Sequence, residues 1–147
     1  MASGNAVWLF SGLVNTDADY AAYVDAVRGT LQRCVGRTDL PASILVVDAG
    51  NPVPNAAWRT RIAEASAKAP CRMLFAVVSS SVLVRGAITA VNWIRPPPYE
   101  ASVHDELESA VRWIEGKRGR TTTSFQALLD IARRGSTSPS AQRAGMR

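Results

Sequence analysis

Histidine and cysteine are scarce in this chain of 147 residues, which contains one histidine, His104, and two cysteines, Cys34 and Cys71. A single histidine far from both cysteines gives none of the ligand spacings of zinc sites, so we expect no metal and no other cofactor. Two distant cysteines do not indicate a disulfide framework. We therefore expect both thiols to be buried structural residues in a reducing cytoplasm.

Long apolar runs and recognisable catalytic motifs are also missing from the sequence. No stretch of about 18 apolar residues is available to span a membrane, and residues 1–10 lack the basic start and apolar core of a secretory signal. Gly50 and Gly86 are isolated glycines, so the sequence has no phosphate-binding loop. The sequence also has no nucleophile elbow and no nucleophile–base pair, so we expect that the protein is not an enzyme. Because no apolar run is long enough, we expect no membrane insertion.

The net charge of +5 is concentrated near the C-terminus. Residues 1–116 carry ten Lys and Arg against eleven Asp and Glu, whereas residues 117–147 carry seven against one, Asp130. A basic tail binds polyanions without specificity, which makes nucleic-acid association through residues 117–147 one hypothesis. The alternative, which we favour, is a solubilising tail.

Strand and helix patterns alternate along most of the chain. Continuous apolar runs at 6–10, 43–47 and 73–78 predict strands that are covered on both faces. A weaker run at 99–103 predicts an edge strand, and apolar residues at helical spacing follow every strand. The sequence therefore predicts a single-domain α/β sandwich, with a largely parallel sheet and helices packed on it.

The composition changes after Gly116, where apolar periodicity gives way to a basic, polar stretch. The pattern predicts an α/β domain over 1–116, a basic connector and short helix over 117–134, and a disordered tail over 135–147. Because the first part has its own alternation of strands and helices, we expect residues 1–116 to fold without the rest.

Polar residues follow the predicted strands at the edge where parallel sheets bind ligands. These candidate ligand-binding residues are Asp48, Asn55, Ser79, Ser80, Ser81 and Arg85. Serine hydroxyls and free backbone N–H groups at the start of a helix are suited to an anion. The same residue types also cap helices and close turns, and this second interpretation stays open beside the first.

The third predicted helix, over 82–94, is apolar on more than one face. A helix on the surface of a protein needs only one apolar stripe, on the side of the core. The surplus includes Leu83, Val84, Ile88 and Trp93, which we take as candidate interface residues. The surplus is covered either by another part of this chain or by a partner, which includes a second copy in a homodimer.

Several short motifs resemble the STAS superfamily, in particular the SpoIIAA-like or STAS/SEC14 group of small bacterial proteins. They are FSGLV at 10–14, ILVVD at 44–48, VRGA at 84–87 and the stretch from Tyr99 to Ile114. The resemblance covers residues 6–116. It implies a four- to five-stranded sheet surrounded by helices and a role in protein–protein regulation. Family members of the phosphorylated kind carry a serine after the Asp-ending strand, but here that stretch is PNAAW at 54–58.

The first hypothesis is therefore a non-catalytic, cytoplasmic protein–protein interaction or regulatory module that lacks the phosphorylatable serine. The partner is a protein that the sequence does not identify. The first alternative is a small-ligand or lipid-binding sensor that uses the carboxyl-terminal edge of the sheet. The second alternative is nucleic-acid association through the basic tail.

Overall fold

The structure is a computed structural model that describes residues 4–67, 71–94, 96–122 and 124–136. Within these residues, four strands alternate with helices and a fifth helix follows. The strands are β1 (Asn5–Phe10), β2 (Ala42–Val47), β3 (Leu74–Val78) and β4 (Glu100–His104). The helices are α1 (Asp17–Arg33), α2 (Ala56–Ser66), α3 (Val82–Ile94), α4 (Leu107–Arg118) and α5 (Ser124–Ser136). The predicted α/β class is confirmed.

All strands of the sheet are parallel and lie in the order β1-β2-β3-β4. Each strand is thus paired with the next one along the chain, and right-handed crossovers bring α1, α2 and α3 to the same face of the sheet. This face is called the α1–α3 face below. The run at 73–78 forms the inner strand β3, and the edge position predicted for 99–103 is confirmed.

The strands bury side chains on both faces, as their unbroken apolar runs predict. On the α1–α3 face, Trp8, Phe10 and Val47 pack against the buried Tyr20 and Val24 of α1. Aromatic rings dominate this side: Trp8 and Tyr23 meet edge to face, with their centroids 5.5 Å apart. The opposite face carries the alternate side chains of the same strands.

Helices α4 and α5 cover the opposite face of the sheet. Phe125, Leu128 and Leu129 of α5 are buried against β1, together with Ile114 of α4. The sequence treats 124–134 as an appendage to a domain that ends at 116, but the structure uses this helix as one side of the core. Independent folding of 1–116 stays a prediction, and this packing argues against it. The remainder of the predicted tail, 137–147, lies outside the described residues.

Helix ends follow the local sequence, with one exception. The hydroxyl of Thr16 accepts the Asp19 N–H, and the Asp19 carboxylate accepts the Thr16 N–H, so the two residues form a capping box. Helix α4 runs past Gly116, the position after which the composition of the sequence changes. It continues to Arg118, and Gly119 ends it in the left-handed region at φ +68°, where glycine avoids the steric cost of a side chain.

The two cysteines correct another expectation, because they form a disulfide. Cys34 follows α1 and Cys71 precedes β3, and their Cα atoms are 6.0 Å apart. The crossover through β2 and α2 brings these distant positions together at the amino ends of the strands. Because disulfides persist mainly in oxidising environments, the two cysteines do not support the reducing compartment that the sequence analysis expects. The cytoplasmic location stays a prediction, which fractionation of the source cells tests.

Candidate functional site

The three serines after β3 make the turn into α3. The Ser81 hydroxyl accepts the backbone N–H of Val84 at 3.3 Å, and the Ser79 hydroxyl accepts the N–H of Ser81 at 3.2 Å. The Arg85 guanidinium turns back and donates to the Ser79 carbonyl at 2.8 Å. Ser79 is buried, whereas Ser80 is exposed. This arrangement matches the capping interpretation of these residues.

The other two candidate ligand-binding residues also have protein partners. Asn55 is the N-cap of α2 and accepts the Trp58 N–H at 3.0 Å. Asp48 accepts two hydrogen bonds from Arg133 of α5. The predicted residues thus follow neighbouring strands but form no common site: Ser79, Ser81 and Arg85 bond to one another, whereas Asp48 and Asn55 each have a different partner. Ligand binding by them remains an untested prediction.

Sequence reasoning gave little weight to a pair of asparagines at this same edge. Asn51, which is 5% exposed, exchanges amide hydrogen bonds of 2.8 and 2.9 Å with Asn15. It also donates to the carbonyl of Gly12 at 3.2 Å. A buried amide must be paired in this way to offset its lost hydration. The signal that points to this pair is two loop asparagines after adjacent strands.

The outward face of α3 is uncharged and mainly apolar along the length of the helix. Val82, Leu83 and Trp93 are 72%, 80% and 83% exposed. The exposed positions between them are Gly86, Thr89 and Ala90, so this face has no charged side chain. A helix of 13 residues is about 20 Å long, and the two large residues Leu83 and Trp93 lie near its opposite ends.

Two of the four candidate interface residues point the other way. Val84 is 6% exposed within the core of the α1–α3 face, and Ile88 is half-buried against the same core. Helical spacing places both residues about 100° or more from Leu83, on the side of the helix that faces the sheet. The candidate docking surface consists of Val82, Leu83, Gly86, Thr89, Ala90 and Trp93, and we call it the α3 outward face.

The other helices of the same layer differ from α3. The exposed positions of α1 include Asp25, Arg28 and Gln32. Those of α2 include Arg59 and Glu64. Charged side chains on outward positions are the normal way to keep a helix surface hydrated. The α3 outward face is therefore a specific feature of this helix and not a general property of the layer.

A cavity of about 410 Å³ lies under the helices of the α1–α3 face. Its floor includes Trp8, Leu45 and Phe75 of the sheet, and its cover includes Ile62 of α2 and Ile88 of α3. The volume falls within the range of small-molecule sites, which are concave and mainly apolar. None of the six candidate ligand-binding residues lines it. Sequence reasoning missed the cavity because its walls look like ordinary core residues.

Hydroxyl groups stand at one end of this cavity. Burial raises the pKa of Tyr23, and the neighbouring Tyr99 phenol raises it further. Burial also raises the pKa of Tyr99, and a hydrogen bond with Ser66 opposes that effect. Both phenols are therefore neutral at physiological pH. They offer hydrogen bonds without charge.

The basic C-terminal part is engaged in the fold. Arg118 donates to the Leu40 carbonyl and to the Asn5 side chain, both at 2.8 Å. Lys117 forms an ion pair with Glu100 at 2.9 Å. Arg133 pairs with Asp48, so at least three of the seven cations after residue 116 have partners within the chain. These contacts lower the charge available to a nucleic acid.

Two features are absent from the residues that the structure describes. No helix there is long and apolar enough to cross a membrane. No three His, Cys, Asp or Glu side chains in those ranges are grouped as they are around a metal ion. Comparison of the chain with protein families, curated proteins and solved structures finds no match.

Proposed function

We propose that this chain is a non-catalytic protein–protein interaction module that docks a partner on the α3 outward face. The observation that carries the proposal is the complete lack of charge on this face, together with the exposure of Leu83 and Trp93. Contiguous apolar surface is uncommon on proteins that have no partner. The α/β sandwich is of the general class that the resemblance to the STAS superfamily implies, and the regulatory part of the proposal rests on that resemblance.

The chemistry of the face indicates what kind of surface covers it. Gly86 and Ala90 are one helical turn apart, and a Cβ added at Gly86 would meet no atom within 4 Å. A partner helix therefore has room to approach the α3 backbone between two large apolar residues, Leu83 and Trp93. A second copy of this chain offers such a helix, which makes a homodimer the first complex to test.

The regulatory part of the proposal does not involve phosphorylation at the start of α2. The residues there are Pro54, Asn55, Ala56, Ala57 and Trp58, none of which has a hydroxyl group. Asn55 already occupies the N-cap position. A regulatory role would therefore depend on occupancy of the α3 outward face and not on a phosphoserine.

Charge introduced on the face tests the proposal. Leu83→Asp and Trp93→Asp each place a carboxylate at one end of the surface, and we expect both to weaken docking. Val35→Asp is the matched control, because Val35 is 60% exposed but lies in the connection between α1 and β2. Sedimentation velocity over a range of concentrations measures self-association. Affinity capture with the same variants as bait measures docking of other proteins.

The expected result is a complex that forms with the wild type and with Val35→Asp but not with Leu83→Asp or Trp93→Asp. Thermal unfolding must be unchanged, since these side chains are exposed. A wild type that is monomeric at high concentration and captures nothing in a Leu83-dependent manner would overturn the proposal. So would variants that unfold, because the face would then be part of the core.

Glycine gives a second, milder test. Gly86→Ala and Gly116→Ala each add one methyl group to a helix, and neither added Cβ meets a neighbouring atom. Each substitution should raise the free energy of unfolding of the monomer by about 0.5–1 kcal/mol. Only Gly86→Ala should also weaken docking, because its methyl group lies where the partner helix approaches. Equal docking by both variants would contradict close helix–helix contact at this position.

A further inference from the structure

The cavity on the α1–α3 face extends along the strands, from their carboxyl ends to their amino ends. Asn15, Asn51 and Pro54 line its end near the carboxyl ends of the strands, and Met73 and Tyr99 line its other end. Strands of five or six residues are about 17–20 Å long. The cavity is therefore elongated and accommodates a chain better than a compact molecule.

Several of the side chains that α2 and α3 contribute to the cavity are small, beside the larger Ile62 and Ile88. Trp58 is the buried residue of α2, and farther along this helix Ala63 and Ser66 line the cavity. Ala87 of α3 does the same from the other side. Side chains of this size do not reach across to Phe75 and the neighbouring sheet residues. The space between the layers is therefore left unfilled, although protein interiors are normally close-packed.

Among the lining residues that the structure describes, charge is found at one end. Arg59 is the one charged side chain among the described lining residues, and it lies in the first part of α2, near Pro54. One of its N–H groups donates to the Pro54 carbonyl at 2.7 Å, and a guanidinium has five such donors. The amides of Asn15 and Asn51 lie at the same end. Toward the other end, the described polar side chains of the lining are uncharged, and they include the hydroxyls of Ser66, Tyr23 and Tyr99 and the amide of Asn92.

From this distribution we infer that the cavity binds an elongated, mainly apolar molecule with one acidic group, by chemical class a long-chain carboxylic acid. The apolar chain lies between the aromatic floor and the helices. The carboxylate lies at the Arg59 end, where a charge-assisted hydrogen bond is available. This site is separate from the α3 outward face, because it uses the inner side of α3, and the inference does not depend on the proposed docking function.

The experiment uses the full chain and two matched probes, dodecanoate and dodecanol, which have the same apolar chain and differ in the head group. Titration calorimetry measures their dissociation constants. Arg59→Gln should weaken dodecanoate about tenfold or more, since a hydrogen bond to a charged group is lost, and should leave dodecanol nearly unchanged. Arg61→Gln is the control, because Arg61 is on the same helix but does not line the cavity.

Variants that fill the cavity test its location. Ala63→Trp and Ala87→Leu each place a larger side chain in the lining, one from α2 and one from α3, and both should abolish binding of the two probes. Thermal unfolding identifies a variant that does not fold, in which case the other one decides. Leu83→Asp should bind both probes like the wild type.

Two outcomes overturn the inference. If the wild type binds neither probe, or if both filled variants fold and bind like the wild type, the cavity is not the site. If Arg59→Gln leaves the preference for dodecanoate over dodecanol unchanged, the acidic end of the ligand is not at Arg59. Failure of these tests leaves docking on the α3 outward face unaffected, and the reverse is also true.

Discussion

Arg133 of α5 donates two hydrogen bonds, 2.9 and 3.0 Å long, to the two carboxylate oxygens of Asp48 at the end of β2. The two residues are 85 positions apart in the sequence. Their pairing joins the C-terminal helix to the carboxyl edge of the sheet. Asp48, a candidate ligand-binding residue in the sequence, therefore has its charge paired within the chain.

This ion pair should contribute little to stability. The two side chains are 47% and 30% exposed, and exposed pairs typically contribute less than about 1 kcal/mol. Asp48→Ala and Arg133→Ala should each lower the free energy of unfolding by roughly 0.5–1 kcal/mol. The double variant should lose less free energy of unfolding than the two single variants lose together. Urea unfolding of all three variants measures this difference. Arg28→Ala, at an exposed pair 3.7 Å long, is the control. Strict additivity would show that the pair does not contribute.

Removal of the α5 side chains should be far more damaging. Phe125 is fully buried against β1, and Phe125→Ala should lower the free energy of unfolding by about 3–5 kcal/mol. Gln126→Ala, at an exposed position of the same helix, should change it by less than about 0.5 kcal/mol. Truncation after Gly116 removes the whole helix, and we expect it to abolish cooperative thermal unfolding. A sharp transition in the truncated chain would support an independent domain over 1–116.

The disulfide should stabilise the chain through its unfolded state. It closes a loop across 37 positions, which corresponds to roughly 3–4 kcal/mol in the chain-entropy model. Reduction, or the double substitution of Cys34→Ala with Cys71→Ala, should lower the urea midpoint accordingly. Reductant should have no effect on the double variant, which is the control. Equal midpoints with and without reductant in the wild type would mean that the bond does not form in solution.

His104 should make stability depend on pH in the mildly acidic range. Its Nε2 atom is buried without a partner among the described residues. Burial lowers the pKa of His104, and Asp105 opposes this effect. The unfolded chain then binds the proton more readily than the folded one, so stability should fall as pH drops below 6.5 towards the lower folded pKa.

His104→Gln should flatten this part of the stability profile, measured by urea unfolding between about pH 7 and pH 5. The lowered pKa values of Asp39 and Glu100 place the loss of their stabilising effect at more acidic pH, below 3.8 and 4.5. These two carboxyl groups therefore do not contribute to the slope that is assigned to His104. An unchanged slope in the variant would assign the pH dependence to another group.

The local pattern of the sequence determined much of the fold. Thr16 and Asn55 are residue types that cap helices, because a side-chain oxygen at such a position satisfies free backbone N–H groups a few residues away. The apolar runs at 43–47 and 73–78 indicated strands buried on both faces, and the runs of residues between them required crossovers. These features depend on contacts within a few residues, which a sequence displays directly.

The tertiary structure alone decided what depends on distant contacts. Only the strand order shows that Cys34 lies beside Cys71 and that Arg133 reaches Asp48. Only the packing shows that Val84 faces the core while Leu83, its neighbour in sequence, faces outward. The cavity is a property of the space between α2, α3 and the sheet, because a side chain's volume is known from the sequence but the distance it must fill is not.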